Sequence, residues 1–261
     1  MLGALQGATE FLPVSSSGHL VLAERLLGLS RPGLALETGL HLGTLLAVIA
    51  AYPRDVRDLA GGATDLVRRR GGRRTEMLLL LLAATLPAAL AGVLLEAVVD
   101  RLFGSLTAVA LGWCVSGLAL LAASRWGRRA RALDALRMRD ALMIGSCQAF
   151  ALAPGVSRAG ITLIGGLGRG LRADEAARFS FLLSLPTVAG AVLLQVGGLL
   201  RGGGAADPAL WVGIPVAAVA GFCAIRICLR RLRRPGGLSP FGWYCLALGV
   251  LCLMRTTLTG G

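Results

Sequence analysis

The sequence contains no lysine: all 27 of its cationic side chains are arginine, set against 14 acidic residues. A lysine Schiff base and a lysine phosphate clamp are therefore both excluded. Histidine is nearly as scarce, with only His19 and His41, so a three-histidine zinc site is impossible. The six cysteines, Cys114, Cys147, Cys223, Cys228, Cys245 and Cys252, lie in or beside apolar runs, with the spacing of neither a zinc ribbon nor a disulfide framework. They read as small buried apolar side chains. No cleavable signal peptide is expected, because residues 1–12 lack a basic start and run directly into a polar motif.

Apolar sequence, by contrast, is abundant. The 261 residues are 55% hydrophobic with a mean hydropathy of +0.72, more than one soluble core needs and incompatible with a disordered chain. A net charge of +13 would ordinarily suggest nucleic acid, so its distribution has to decide. A hydrocarbon core of about 30 Å requires about 20 apolar residues of helix. Six runs meet that requirement, at approximately 34–52, 77–99, 104–124, 179–200, 209–229 and 241–258. Two further apolar stretches, 1–29 and 141–167, are interrupted in the middle by proline, glycine and serine. The prediction is an all-α integral membrane protein with about six transmembrane helices and two broken segments.

Arginine in short loops marks the cytoplasmic side. Segments 53–76, 125–140, 168–178 and 230–240 together hold twelve of the thirteen net positive charges, while 1–33, 100–103 and 201–208 are neutral. With the four basic loops inside, 141–167 must enter and return on the same face, and the segment before residue 34 dips in from the opposite face. Both are predicted to be re-entrant helical hairpins. An ungapped shift of 142 residues pairs Met1 with Met143, Gly3 with Gly145, Gln6 with Gln148, Val14 with Val156, Ser15 with Ser157 and Gly18 with Gly160. One polytopic domain, 1–261, is predicted, built as an inverted-topology repeat with halves of about 1–124 and 141–261 joined by the basic loop 125–140. Non-helical backbone at the midplane survives only if buried in protein or lining a wet cavity, so the two tips imply a polar site.

The first tip reads Gln6-Gly-Ala-Thr-Glu10-Phe-Leu-Pro13-Val-Ser15-Ser16-Ser17-Gly18-His19. Gln6 and Glu10 share one face of a short helix that ends before Pro13. Ser15, Ser16, Ser17 and Gly18 then offer hydroxyls and backbone N–H groups at the start of a second half-helix, where an anion is favoured. A carboxylate inside a membrane is costly and is by default a functional candidate; a serine-rich cap beside a buried Glu is the plainer alternative. The second tip reads Gln148-Ala-Phe-Ala-Leu-Ala-Pro154-Gly155-Val-Ser157-Arg158-Ala-Gly160-Ile-Thr162. Arg158 lies too far from either end to snorkel and needs an anionic partner. Glu10 in a structural pair is one candidate. A phosphate ringed by the Ser157 and Thr162 hydroxyls, with Gly155 at the turn, is the other. Glu37 and His41, four apart, either support this site or only pair beside it. Glu96 and Arg226 lie near span ends and are expected at the interface. The arginine runs 68–70 and 230–234 read as topology anchors that attract anionic lipid headgroups; without interleaved aromatics they do not suggest nucleic acid.

At these residues the chain resembles the undecaprenyl-diphosphate phosphatase family, the bacterial bacitracin-resistance proteins. The resemblance rests on Gln6 to His19, on Pro154-Gly-Val-Ser157-Arg158-Ala-Gly-Ile-Thr162, and on Phe179-Ser-Phe-Leu-Leu-Ser-Leu-Pro186, and it covers essentially the whole chain. It implies a multi-pass enzyme of the bacterial plasma membrane that removes one phosphate from the C55 polyprenyl diphosphate, recycling the lipid carrier for cell-wall synthesis. It further implies an active site open to the extracytoplasmic side and a divalent cation, Mg²⁺ or Ca²⁺. The family's Glu/Gln-x-x-x-Glu pair falls on Gln6 and Glu10, its essential His on His19 and its Arg on Arg158. Gln6 is the amide form of a position that can be Glu, which weakens the metal-ligand case there, and Ala159 replaces the usual Ser after the Arg.

On that resemblance, Arg158 and the Ser15 to Gly18 backbone would hold the terminal phosphate. A metal bound by Glu10 and by diphosphate oxygens would neutralise the leaving phosphate. His19 would serve as general base or acid. The nucleophile would be Ser16, Ser157 or water. The type-2 phosphatidic acid phosphatases are similar at Ser-Gly-His and Ser-Arg, but they use a lysine and a second histidine that this chain lacks. A transporter or flippase of a polyprenyl phosphate built on the same inverted repeat is the alternative from another class. Gly165-Gly166 and Gly197-Gly198 allow close helix packing, equally within one chain or across a homodimer.

Overall fold

Apolar sequence satisfies its own backbone in lipid only as helix or closed barrel, and long runs without strand alternation leave helix. The computed structural model describes residues 1–28, 34–126, 129–202 and 209–259, with the side chains of 34–38, 193–202 and 259 outside that description. Glu37 and the Gly197-Gly198 pair therefore lie outside the described side chains. The helices are α1 (Leu2–Phe11), α2 (Ser16–Leu27), α3 (Leu34–Ala51), α4 (Pro53–Val67), α5 (Arg73–Leu94), α6 (Glu96–Phe103), α7 (Leu106–Ser124), α8 (Met138–Phe150), α9 (Arg158–Gly168), α10 (Ala173–Gly202), α11 (Ala209–Leu232) and α12 (Ser239–Thr259). No β-strand occurs among the described residues; one isolated bridge joins Arg131 to Leu171.

Among the described residues α5, α7, α11 and residues Ser239–Leu258 of α12 are long and apolar enough to cross a membrane, and Gly39–Ala51 of α3 is a shorter apolar helix. The remaining predicted run lies on α10 and extends into its undescribed side chains. Leu86, Leu90, Val93 and Leu94 of α5 and Trp211 and Val219 of α11 are exposed. Such a surface would be a liability in water and is matched by lipid. The protein is an all-α, multi-pass membrane protein.

Three details differ from the sequence reading. Much of 53–76 is not loop but helix α4, started by Pro53 at its first turn and Asp55 beside the positive end of its dipole. Residues 100–103 close the short helix α6, which opens at the exposed Glu96. The cysteines are not uniformly buried: Cys228, Cys245 and Cys252 are, Cys114 and Cys147 are half-buried, and Cys223 is exposed. An outward face of a membrane helix is itself apolar, so a thiol gains nothing there by turning inward. Arg226 is also exposed, with its guanidinium 4.8 Å from the Phe222 ring centroid.

Two helices are broken where the sequence places proline: α1 and α2 flank residues 12–15, and α8 and α9 flank 151–157. Their packing partners correspond, with α1 along α11 and α8 along α5, while α3 also lies on α11 and α10 on α5. α7 and α12 pack on one another. The two ends of α8 and α9 are tied side by side. Asp140, 3% exposed, accepts from Arg131 Nη2 at 2.7 Å, Arg169 Nε at 2.6 Å and the Arg137 backbone at 3.0 Å. Burial pushes this carboxyl up, but those bonds outweigh it and hold it at about 2.

Candidate active site

Each break is organised by a serine cap. Ser15 caps α2, accepting from Gly18 N at 3.4 Å, and Ser157 caps α9, accepting from Gly160 N at 3.1 Å. Helix α7 serves both tips. Trp113 Nε1 donates to Val14 O at 2.9 Å, and Ser116 Oγ donates to Gly155 O at 3.2 Å while accepting from Ser157 N at 3.0 Å. Backbone groups stranded by the breaks thus find partners without water. Gly155 has φ of +85°, and a Cβ there would lie 2.0 Å from Val109 O, so only glycine fits. A Cβ on Gly18 would lie 3.2 Å from Gly155 Cα, which shows how closely the two tips meet.

Glu10 sits where they meet. Its Oε1 accepts from Arg158 Nη2 at 2.6 Å, and its Oε2 accepts from Ser16 Oγ at 2.5 Å and Gln6 Nε2 at 3.0 Å. The ion pair weighed from sequence is formed, across 148 residues of chain. Arg158 Nη1 also donates to Ser180 O at 3.3 Å, leaving guanidinium donors beyond these two bonds. Gln6 is fully buried; its amide donates a second bond to His41 Nδ1 at 3.1 Å, and its Oε1 has no partner. Rotating that amide would set oxygen against the Glu10 carboxylate, so the network itself fixes its orientation.

The other predicted residues divide in two. Ser16 and Ser17 are half-buried, and Ser17 Oγ lies 3.2 Å from Ser15 Oγ. Thr162 is enclosed and committed, donating to Arg158 O at 2.8 Å and lying 2.6 Å from Ser180 Oγ, so it orders the tip rather than presenting a hydroxyl. His19 is bonded to Ser15 O through Nδ1 at 2.7 Å and to Tyr244 Oη through Nε2 at 2.8 Å. It hydrogen-bonds to none of Glu10, Ser16 and Arg158. Ser15 is held at φ of +69°, a strained conformation for a residue with a side chain.

Trp113, Ser116, Ser180 and Tyr244 were not singled out by sequence reasoning. Ser180 lies within the Phe179-Ser-Phe motif, and Tyr244 is one of only two tyrosines, a hydroxyl inside an apolar run. No cluster of three or more His, Cys, Asp or Glu side chains that could hold a metal occurs among the described residues. A carboxylate on a serine hydroxyl, fixed from behind by a guanidinium, is equipped for transfer of an anionic group to that hydroxyl.

A family model described as bacitracin resistance protein BacA matches residues 1–251. An undecaprenyl-diphosphatase of Rubrobacter xylanophilus is 45% identical over 258 residues, covering 96% of this chain and 94% of that protein. One from Geobacter sulfurreducens is 44% identical over 254 residues, covering 95% and 94%. Another, from Alcanivorax borkumensis, is 42% identical over 255 residues, covering 97% and 96%.

Proposed function

Because the chain belongs to the bacitracin resistance protein BacA family, we propose that it is a membrane phosphatase that hydrolyses undecaprenyl diphosphate to undecaprenyl phosphate and inorganic phosphate. The observation that carries the mechanism is the Ser16 hydroxyl 2.5 Å from a Glu10 carboxylate that Arg158 holds in place. Ser16 Oγ attacks the terminal phosphorus as its proton passes to Glu10, and undecaprenyl phosphate leaves; water then releases phosphate from the serine. The remaining Arg158 donors and the N–H groups at the start of α2 bind the transferred phosphoryl group. His19 handles a proton in the second half of the cycle.

The donor set fits a hard divalent cation such as Mg²⁺ or Ca²⁺ only with help from the substrate. Glu10 and the unpaired Gln6 Oε1 supply two oxygens, and diphosphate oxygens and water would supply the rest. When bound, such an ion neutralises charge on the diphosphate. The matching order and partners of α1–α3 and α8–α10 support an inverted repeat with halves of about 1–124 and 141–261. The loop arginines support a cytoplasmic side for 53–76, 125–140, 168–178 and 230–240, and family membership supports a bacterial plasma-membrane location with the site open to the extracytoplasmic side. No observation favours the polyprenyl phosphate transporter.

The test is phosphate release from undecaprenyl diphosphate by detergent-solubilised protein, where no bilayer remains to be crossed. Wild-type protein releases phosphate, and Glu10→Gln, His19→Ala and Arg158→Ala each lose about 100-fold or more. Wild-type rates in all three would place the chemistry elsewhere, and activity surviving in both Ser16→Ala and Ser157→Ala would make water the nucleophile.

A further inference from the structure

The surroundings of His19 assign it a partner outside both hairpins. A carbonyl oxygen only accepts, so the 2.7 Å contact with Ser15 O requires a proton on His19 Nδ1. Nε2 is therefore the nitrogen that gains and loses the second proton, and it lies 2.8 Å from Tyr244 Oη. The imidazole and phenol rings are parallel within 1°, with centroids 5.7 Å apart, so the phenol lies alongside the imidazole while its hydroxyl reaches Nε2. Trp113 stands across the imidazole at 78° and 5.2 Å, itself anchored to Val14 O, and resists rotation of the ring. Tyr244 is 47% exposed and His19 8%, so the phenol covers the imidazole.

We propose that Tyr244 both orients His19 and relays its proton in the proton-transfer step. Its hydroxyl donates to neutral His19, holding the tautomer with hydrogen on Nδ1 and an acceptor at Nε2. A proton reaches Nε2 through the Tyr244 oxygen: the hydroxyl hydrogen moves to Nε2 as the oxygen takes one from water or a phosphate hydroxyl, and the phenol stays neutral. The inference rests on the acid–base role proposed for His19, and it explains why a group in that role makes no bond to Glu10 or Ser16.

The test uses the full chain in lipid, labelled with ¹⁵N-histidine. The sequence has two histidines, so the difference from a His19→Gln sample assigns His19. In wild type, Nδ1 is protonated and Nε2 is an unprotonated, hydrogen-bonded acceptor. In Tyr244→Phe, which keeps the ring, Nδ1 remains protonated and Nε2 moves to the position of a lone pair without a donor. The same variant loses about tenfold in kcat on polyprenyl diphosphate, with KM changed by less than about twofold. A protonated Nε2 in the neutral wild-type ring, an Nε2 resonance unmoved in Tyr244→Phe, or a rise in KM with kcat kept would each overturn the proposal. So would full kcat in Tyr244→Phe beside an impaired His19→Ala. Full activity of His19→Ala would instead remove the role of His19 itself, and the proposal with it.

Discussion

Glu10 and Asp140 are both buried carboxylates gripped by arginine, yet their remaining partners differ. Asp140 is shared by Arg131, Arg169 and the Arg137 backbone, so every group that touches it is an N–H donor. It closes the base of the second hairpin. Glu10 has one arginine; its other oxygen takes a serine hydroxyl and an amide whose own oxygen is unpaired. Burial and an arginine partner thus do not distinguish a clasp from a reactive site in this molecule. The distinction lies in whether a partner can itself react, and only Glu10 touches one that can.

The sharpest way to break this comparison is to replace each carboxylate by its amide. Glu10→Gln should reduce kcat on undecaprenyl diphosphate by about 10³-fold. Asp140→Asn should keep kcat within about threefold while costing about 2 kcal/mol of stability, since it removes the buried charge that two half-buried guanidinium groups share. Thermal unfolding in detergent beside steady-state rates separates the two, and equal catalytic losses would erase the distinction.

One serine from each tip sharpens it further. Ser16→Ala should lose about 100-fold in kcat, whereas Ser157→Ala should lose about 1 kcal/mol of stability, the worth of a helix cap, with activity retained. A reversed result would move the nucleophile to the second tip.

The remaining effect is in acid. Asp140 has a folded pKa of about 2, below its unfolded value of about 3.9. Its contribution is present above the unfolded value and is lost as the pH falls from about 4 through about 2, on the order of 2 kcal/mol. The thermal midpoint of wild type should fall more steeply over that window than that of Asp140→Asn; parallel curves would show that the clasp contributes nothing.

Much of this arrangement was legible in the chain. Pro13 and Pro154 break helices, and Glu10 and Arg158 stand out because charge in apolar sequence is expensive. Ser15 and Ser157 were readable as starts of half-helices. Helix α4 was hidden by its charge, which reads equally as loop. Trp113, Ser116 and Ser180 carry no local signal that separates a bridging side chain from a spectator. Tyr244 meets His19 across 225 residues, a separation no motif spans. His19 was readable as a candidate, but its bonds turn it from Ser16 toward the phenol, and the carboxylate against Ser16 is that of Glu10.

Composition, hydropathy and loop arginines determined by themselves an all-α membrane chain with two interrupted segments, because each reflects a local free-energy cost paid wherever the segment sits. Tertiary structure alone decided which atoms meet: Glu10 with Ser16 and Arg158, His19 with Tyr244, Asp140 with two arginines. Those pairings operate within about 3 Å, and only the packing of helices distant in sequence sets positions that finely.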